Sequence, residues 1–405
     1  MDGTTVPGSD GAAEGERYHA FDAARASMML LGLVLHSVMS YIVLPVDDWQ
    51  YKDGATSFAF DVLAFGIHSF RMPVFFVLAG FFSALLLTRR GLASFARNRA
   101  QRVLVPFVVG YALLVPLAEL TNHYSLAVRA EAHDPLAVAL AALARNPHPD
   151  LAHLWFLYDL LFFYGASLLV LAWVPARFRS AAARAGERLI AWRWRALLLA
   201  LPLFALQLGM PRGMLDTSLS LMPDVALLAF YGLFFGFGAL LWSARAQLAT
   251  LERHVKRNFA LSLPLAMLNL TCIVLFDEAP SLDPWLLTAA SALSGALLSW
   301  VLTFAWLGLF LRHCQHPRPW LRYLTDASYW MYLVHLPLTL WLPSFFTQLD
   351  LPAFVKASGV FTGTFVLSLA SYALLVRSSW LGVLLNGKRQ PRLRFELTEA
   401  QRQLG

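Results

Sequence analysis

Apolar residues in this chain are gathered into blocks, most of them close to the ~20 residues a helix needs to cross a bilayer. The blocks fall near residues 24–45, 57–88, 103–120, 152–174, 194–210, 223–243, 258–276, 284–311, 323–346 and 354–376. Only 14% of the 405 residues are charged and 58% are hydrophobic, against about 25% charged in a soluble domain. The expected fold class is therefore an all-α polytopic membrane protein with about ten transmembrane helices. The fifth block is the weakest, being short and holding Pro202 and Gln207.

The segments between blocks supply an independent test. Those at 89–102 and 177–195 carry five and six arginines. On the same side come Arg245, Arg253, Lys256 and Arg257, then Arg312, Arg318 and Arg322, then Lys388, Arg389, Arg392 and Arg394. The alternate segments hold only Lys52, Arg129, Arg145, Arg212 and Lys356, together with acidic residues such as Asp47, Asp48, Asp53 and Asp283. Positive charge marks the cytoplasmic side of short loops, so both termini are expected in the cytoplasm and the acidic loops in the periplasm of a bacterial inner membrane. Residues 121–151 form the longest outward segment, with a surface helix expected around Pro135–Arg145.

This alternation also explains the net charge of +7. The arginines are dispersed between spans rather than gathered on one face, which argues against nucleic acid as a partner. Residues 1–20 lack a signal-peptide core and read as a disordered cytoplasmic tail. Residues 21–385 read as one transmembrane domain and 386–405 as a basic cytoplasmic tail. Cys272 lies inside an apolar block and Cys314 in a basic loop, so no disulfide framework is expected.

Ionisable groups inside spans are costly and mark candidate function. Arg25 and His36 are eleven residues apart, close to three helical turns, and share a face about 16 Å apart. Met29 and Gly32 lie between them, and Gly32 is expected to leave room for a slender group. His68 and Arg71 are at i,i+3 in the second block, with Asp61 two turns earlier and Pro73 expected to kink the helix. An Asp61–Arg71 structural pair is the plain alternative there. Arg99 and Arg102 suit phosphate, although orientation in the membrane alone also calls for arginines in that loop. The fourth block opens His-Leu-Trp-Phe-Leu-Tyr-Asp, placing His153 and Trp155 at the outer interface and Asp159 a turn deeper. Ser328, Tyr332 and His335 share one face of the ninth. No metal-ligand spacing, nucleotide loop or nucleophile elbow is present.

These residues, in this order, resemble acyltransferase family 3. Asp22, Arg25 and His36 match its opening Asp-x-x-Arg followed by ten residues and a histidine. Arg99-Ala-Gln-Arg102 resembles its Arg-x-x-Arg element, Val74–Phe82 its Phe-rich second-span signature, and Ser328–His335 its late Ser…Tyr…His helix. The stretches around His68 and His335 are most similar to the branch that succinylates osmoregulated periplasmic glucans. Leu336 stands where that branch is expected to carry a second histidine.

The resemblance implies a membrane O-acyltransferase. Acyl-CoA, with succinyl-CoA favoured, serves as co-substrate and no permanently bound cofactor is implied. Arg99 and Arg102 would hold the CoA phosphates, and the pantetheine arm would pass Arg25 and Gly32 to reach His36. His36 would be the general base for attack by a glucan hydroxyl. Arg71 or Tyr332 would stabilise the oxyanion, with Arg71 also suited to the far carboxylate of a succinyl group. His68 and His153 would orient the glucan, and Ser328 and His335 would complete the substrate site. A secondary transporter or flippase using the same Arg and His residues as a proton relay is the competing class, and a purely structural membrane subunit a third. The partners expected are the lipid bilayer, acyl-CoA and a periplasmic glucan, with a monomer or a homodimer equally compatible.

Overall fold

The computed structural model describes residues 18–46, 49–145, 150–214, 217–278, 281–316, 318–387 and 389–390. Most of the two expected tails, and Asp47 and Asp48, lie outside the described residues. Among the described residues every regular element is helical. In a medium that offers backbone groups no partners, a helix satisfies its own amides and carbonyls. In chain order the α-helices are α1 (His19–Val38), α2 (Phe58–Arg99), α3 (Val105–Arg129), α4 (Pro135–Arg145), α5 (Trp155–Trp173), α6 (Ala176–Ala191) and α7 (Arg195–Gln207). They continue with α8 (Val225–Ser243), the single turn α9 (Ala249–Glu252), α10 (Val255–Glu278), α11 (Pro284–His313), α12 (Pro319–Trp341), α13 (Ala353–Ser371) and α14 (Trp380–Asn386).

Each of the ten expected spans falls on a helix, yet seven continuous helices are long and apolar enough to cross a membrane, or eight if α6 and α7 count as one bent span. The difference has three physical sources. Residues 58–129 form one continuous 72-residue helical stretch, roughly 108 Å if straight and over three bilayer thicknesses. It turns at Gly91, whose φ of 72° and ψ of 176° break the helix. α7 has only 13 residues and meets α6 at 114°, so the arginine-rich segment 177–195 is largely helix α6 rather than a loop. α12 is excluded by its own polar residues, which make it the chemically interesting helix.

Other expectations shift in the same way. Pro73 sits within α2, and the non-helical backbone is at Gly91 instead. α1 and its closing 3₁₀ turn end at Tyr41, short of the expected residue 45, because Asp61 accepts from the amides of Val43 at 2.8 Å and Leu44 at 2.9 Å. That bonding also removes Asp61 as a partner for Arg71. The expected surface helix at Pro135–Arg145 is present as α4, packed on α3, with Asp134 accepting from Ala137 N at 3.0 Å.

Burial separates inner from outer helices. In α1 61% of the apolar window is buried and in α11 67%, against 17% in α10, whose Leu261, Leu263 and Met267 face outward. α1 packs on α2, α11, α12 and α13, which makes it the axis of the bundle. α2 and α8 approach closely. A Cβ on Gly80 would collide with the carbonyl of Phe235, and one on Gly238 with the carbonyl of Val77. Two glycines thus let the backbones touch, the small-residue packing that membrane helices use where no hydrophobic driving force separates helix from lipid. Gly80 belongs to the Val74–Phe82 signature, which gives that glycine a structural reason.

Candidate functional site

Three histidines from three separate elements converge beside α1. The His36 ring lies 5.0 Å from that of His335 on α12, which lies 5.2 Å from His153. His153 sits in the 3₁₀ turn that precedes α5 and is buried. Its carbonyl accepts from the Tyr332 hydroxyl at 2.7 Å, so α5 and α12 are pinned together at this level.

The hydrogen bonds define what each imidazole offers. His335 Nδ1 lies 2.6 Å from the Tyr332 carbonyl and His153 Nε2 lies 2.9 Å from the Leu333 carbonyl. A carbonyl only accepts, so in the neutral ring the proton sits on the nitrogen facing it and the lone pair on the other. His335 Nε2 and His153 Nδ1 are those other nitrogens, and both are sealed from solvent without a partner among the described residues. His36 Nδ1 is likewise sealed and unpartnered, while the residue as a whole is only half-buried. Unused lone pairs gathered in one enclosed place are what a proton-accepting site requires.

Arg71 is the charge facing these rings. Its guanidinium occupies the space beside Gly32, where an added Cβ would collide with Nη1. The expected open passage at Gly32 is thus filled by Arg71. Arg71 has no ion-pair partner among the described residues, and its Nε is buried and unpartnered. It lies within Coulomb range of His36, Tyr332 and Tyr231, and His68 is within range of His36. A buried cation without a counterion is expensive unless an anion is to be met there.

From this centre an aromatic column leads to the arginine-rich end. Tyr332 stacks on Tyr329, centroids 6.3 Å apart and planes 13° apart, and Tyr329 donates to the carbonyl of Arg102 at 2.8 Å. Arg99 lies over Tyr164 at 4.9 Å and Phe95 at 5.2 Å. Arg25 is on the same level, bonded to Asp22 at 3.3 Å and over Phe82 at 5.7 Å. It therefore stands with the arginines of Arg-x-x-Arg, three turns from the imidazole of His36. Arg102 packs against Gly387 at the C-terminus of α14, where an added Cβ would meet its guanidinium. A cation at that end of a helix meets the negative pole of its dipole.

At the opposite end a tied loop closes over the site. Trp49 stacks on His36 with centroids 5.7 Å apart and planes 25° apart, and its indole donates to Ser40 at 3.0 Å. Asp53 pairs with Lys356 of α13 at 2.8 Å, with both side chains buried. Burial pushes the neighbouring Tyr51 hydroxyl up to about 12, so it stays a proton donor toward Asp53.

Of the sequence-read candidates, His36, His335, His153, Arg71, Tyr332 and His68 are brought together. Arg25, Arg99 and Arg102 form a second group at the other end of the column. Ser328 is buried, and its hydroxyl donates to the Thr325 carbonyl at 2.9 Å within α12. The residues that sequence reading missed are aromatic: Trp49, Tyr164 and Tyr329. Tyr329 alone carried a signal, being three positions before Tyr332 and so on its face.

Comparison with known proteins identifies the chain's relatives. Residues 18–375 match the family described as an acyltransferase domain. The chain is 27% identical to the glucans biosynthesis protein C of Salmonella gallinarum and to that of Salmonella typhi. It is 26% identical to that of Salmonella paratyphi B. Each alignment covers 82% of this chain and 84% of the relative. No solved structure matches the chain.

Proposed function

The chain belongs to acyltransferase family 3, and from that premise we propose that it moves an acyl group, succinyl by preference, from cytoplasmic acyl-CoA to hydroxyls of a periplasmic glucan across a bacterial inner membrane. The observation that carries this reading is the meeting of unpartnered imidazole nitrogens with an uncompensated Arg71. Both halves of an acyl transfer are chemically provided for there. The name shared by the relatives, glucans biosynthesis protein C, supports a glucan as acceptor. The arginine alternation of the loops supports cytoplasmic termini.

In this reading the CoA phosphates rest at Arg99 and Arg102, and the pantetheine arm follows the Tyr329–Tyr332 column, entering past Arg25. The thioester carbonyl stops beside Arg71. His36 accepts the proton of a glucan hydroxyl, the oxygen attacks the carbonyl carbon, and the negative charge on the carbonyl oxygen is held by Arg71, since the Tyr332 hydroxyl already donates to the His153 carbonyl. The attack forms the ester C–O bond; collapse restores the C=O bond, breaks the C–S bond, and returns the proton from His36 to the departing thiolate. His335 and His153 keep the imidazole in a dry, polar setting, with His68 toward the acceptor side. General-base action of this kind contributes roughly 10²–10⁴ in rate.

The test is His36→Ala in purified protein, with free thiol release from succinyl-CoA measured against glucan concentration. A loss of at least about 100-fold in rate is expected. Wild-type turnover in a well-folded His36→Ala protein would refute the assigned base.

A further inference from the structure

Pro106 follows Arg102 by four residues. In an α-helix the carbonyl of Arg102 would accept from the amide of residue 106, but a proline has no N–H, and its ring clashes with that same carbonyl. The chain widens at this point. Ala100–Leu104 is a π-helical turn between α2 and α3, closed by Val105 N donating to the Ala100 carbonyl. Such turns are rare and recur at functional sites. The Arg102 carbonyl takes a donor from another helix instead, the Tyr329 hydroxyl of α12 at 2.8 Å.

Three features give this bond a role beyond joining two helices. First, the wide turn carries two guanidiniums to different neighbours. Arg99, which leads into it, lies over Tyr164 and Phe95, whereas Arg102, in its middle, packs against Gly387. Residues three apart in a regular α-helix would share a face. Second, cations outnumber carboxylates here. Arg25, Arg90 and Arg99 are all within Coulomb range of Arg102. Of these four, only Arg25 has an ion-pair partner among the described residues, Asp22. Arg99 Nε is buried and unpartnered. Guanidinium forks of this kind fit a phosphate, provided their geometry is fixed. Third, Tyr329 stands between this group and the reaction centre. It lies within Coulomb range of Arg99 and stacks on Tyr332, whose carbonyl is 2.6 Å from His335 Nδ1.

We propose that Tyr329 is a positioning residue for the phosphates of the acyl donor. Its hydroxyl stands in for the amide that Pro106 lacks, and so fixes the turn from which Arg99 and Arg102 reach their ligand. Tyr329 meets no reacting atom in this role and acts through the Arg102 backbone. The proposal rests on the acyltransferase reading for the identity of the donor, and on the hydrogen bond and the proline spacing for the positioning itself. Because the missing donor comes from α12, the helix that carries His335 also sets the phosphate-binding end.

The experiment uses full-length protein in lipid nanodiscs. Binding of CoA is followed by calorimetry, and kcat and KM are read from thiol release at saturating glucan. Two donors are compared, succinyl-CoA and succinyl-pantetheine, which keeps the thioester and the arm but lacks the phosphates. Tyr329→Phe keeps the ring and its stack on Tyr332 and removes only the hydroxyl. It should weaken CoA binding and raise the succinyl-CoA KM by about fivefold to tenfold, the scale of one hydrogen bond, with kcat and the succinyl-pantetheine KM within about twofold of wild type. An unchanged succinyl-CoA KM overturns the proposal. So does an equal change with both donors, which marks a general loosening of the bundle. Pro106→Ala restores an amide opposite the Arg102 carbonyl and gives a second check. In that background Tyr329→Phe should have little further effect on CoA binding, because both changes act on one carbonyl. An undiminished loss there also overturns the proposal, as does a wild-type protein that does not bind CoA. If the protein binds CoA, loses that binding in Tyr329→Phe and yet transfers no succinyl group, the positioning role stands and the acyltransferase reading falls.

Discussion

Gly32 and Arg71 form the tightest residue-scale constraint in the site. The guanidinium rests where any side chain at Gly32 would lie, and it is the far end of a flexible side chain that would have to yield. Alanine at this position should therefore spare the fold. In a helix the change from glycine even favours stability by roughly 0.5–1 kcal/mol. Arg71 would be displaced from the thioester carbonyl, and acyl transfer should fall by about tenfold or more, the scale of one charge-assisted hydrogen bond. Comparing donors separates the roles of Arg71 in Gly32→Ala protein. Equal loss with acetyl-CoA and succinyl-CoA marks an oxyanion contact, and selective loss with succinyl-CoA marks a contact to the far carboxylate. A Gly32→Ala protein that melts at or above the wild-type temperature and keeps full activity would remove Arg71 from the mechanism. At this scale the sequence was informative wherever an ionisable group interrupted an apolar block, as His36, Arg71 and His335 do. It was silent about Trp49, because a tryptophan in an outward loop looks like any interfacial aromatic until the loop is seen folded back over His36. It also misled about Gly32, whose missing side chain reads as empty space from one helix and as a socket once α2 is beside it.

Helix pairing is the next scale, and here Gly80 and Gly238 decide the contact between α2 and α8. Each faces a backbone carbonyl of the partner helix, an obstacle that cannot rotate away as a side chain can. Gly80→Leu and Gly238→Leu should each push the helices apart at a cost of about 1–3 kcal/mol or more. The expected signs are a lower melting temperature and loss of the monodisperse peak in detergent size exclusion. Gly236 lies on the same helix with nothing within 4 Å of its would-be Cβ, so Gly236→Ala serves as the matched control and should be neutral. If Gly80→Leu behaved like that control, the close crossing would be wrong. The existence of α2 and α8 was plain from hydropathy, since spans announce themselves by length and composition. Their pairing was not, because each glycine has a meaning only against a carbonyl more than 150 residues distant in sequence. α12 is the converse case. Its polar residues lower its hydropathy below that of its neighbours, yet the same residues supply the centre of the site, so the feature that obscures the span identifies the function.

For the molecule as a whole, the arginine groups and the loop segment that carries Trp49 sit at opposite ends of one polar column. Arg25, Arg99 and Arg102 stand at one end, the histidines and Arg71 in the middle, and Trp49 with its loop at the other. In the proposed reaction, a thioester from one side and a polysaccharide from the other would meet within this column. The buried Asp53–Lys356 pair joins residues 303 positions apart and ties down the loop that carries Trp49, while the other end is lined by arginines. This asymmetry makes a directional prediction. Inverted inner-membrane vesicles loaded with neutral glucan present the arginine end outward, and succinyl-CoA added to the bath should then acidify the enclosed glucan, read by anion-exchange mobility after lysis. Right-side-out vesicles given succinyl-CoA and glucan together in the bath should yield no product, because the donor meets the covered end and cannot cross. Product in the second preparation, with the vesicles shown to be sealed, would mean that donor and acceptor enter from one face, and the column would lose its role as a conduit between two compartments.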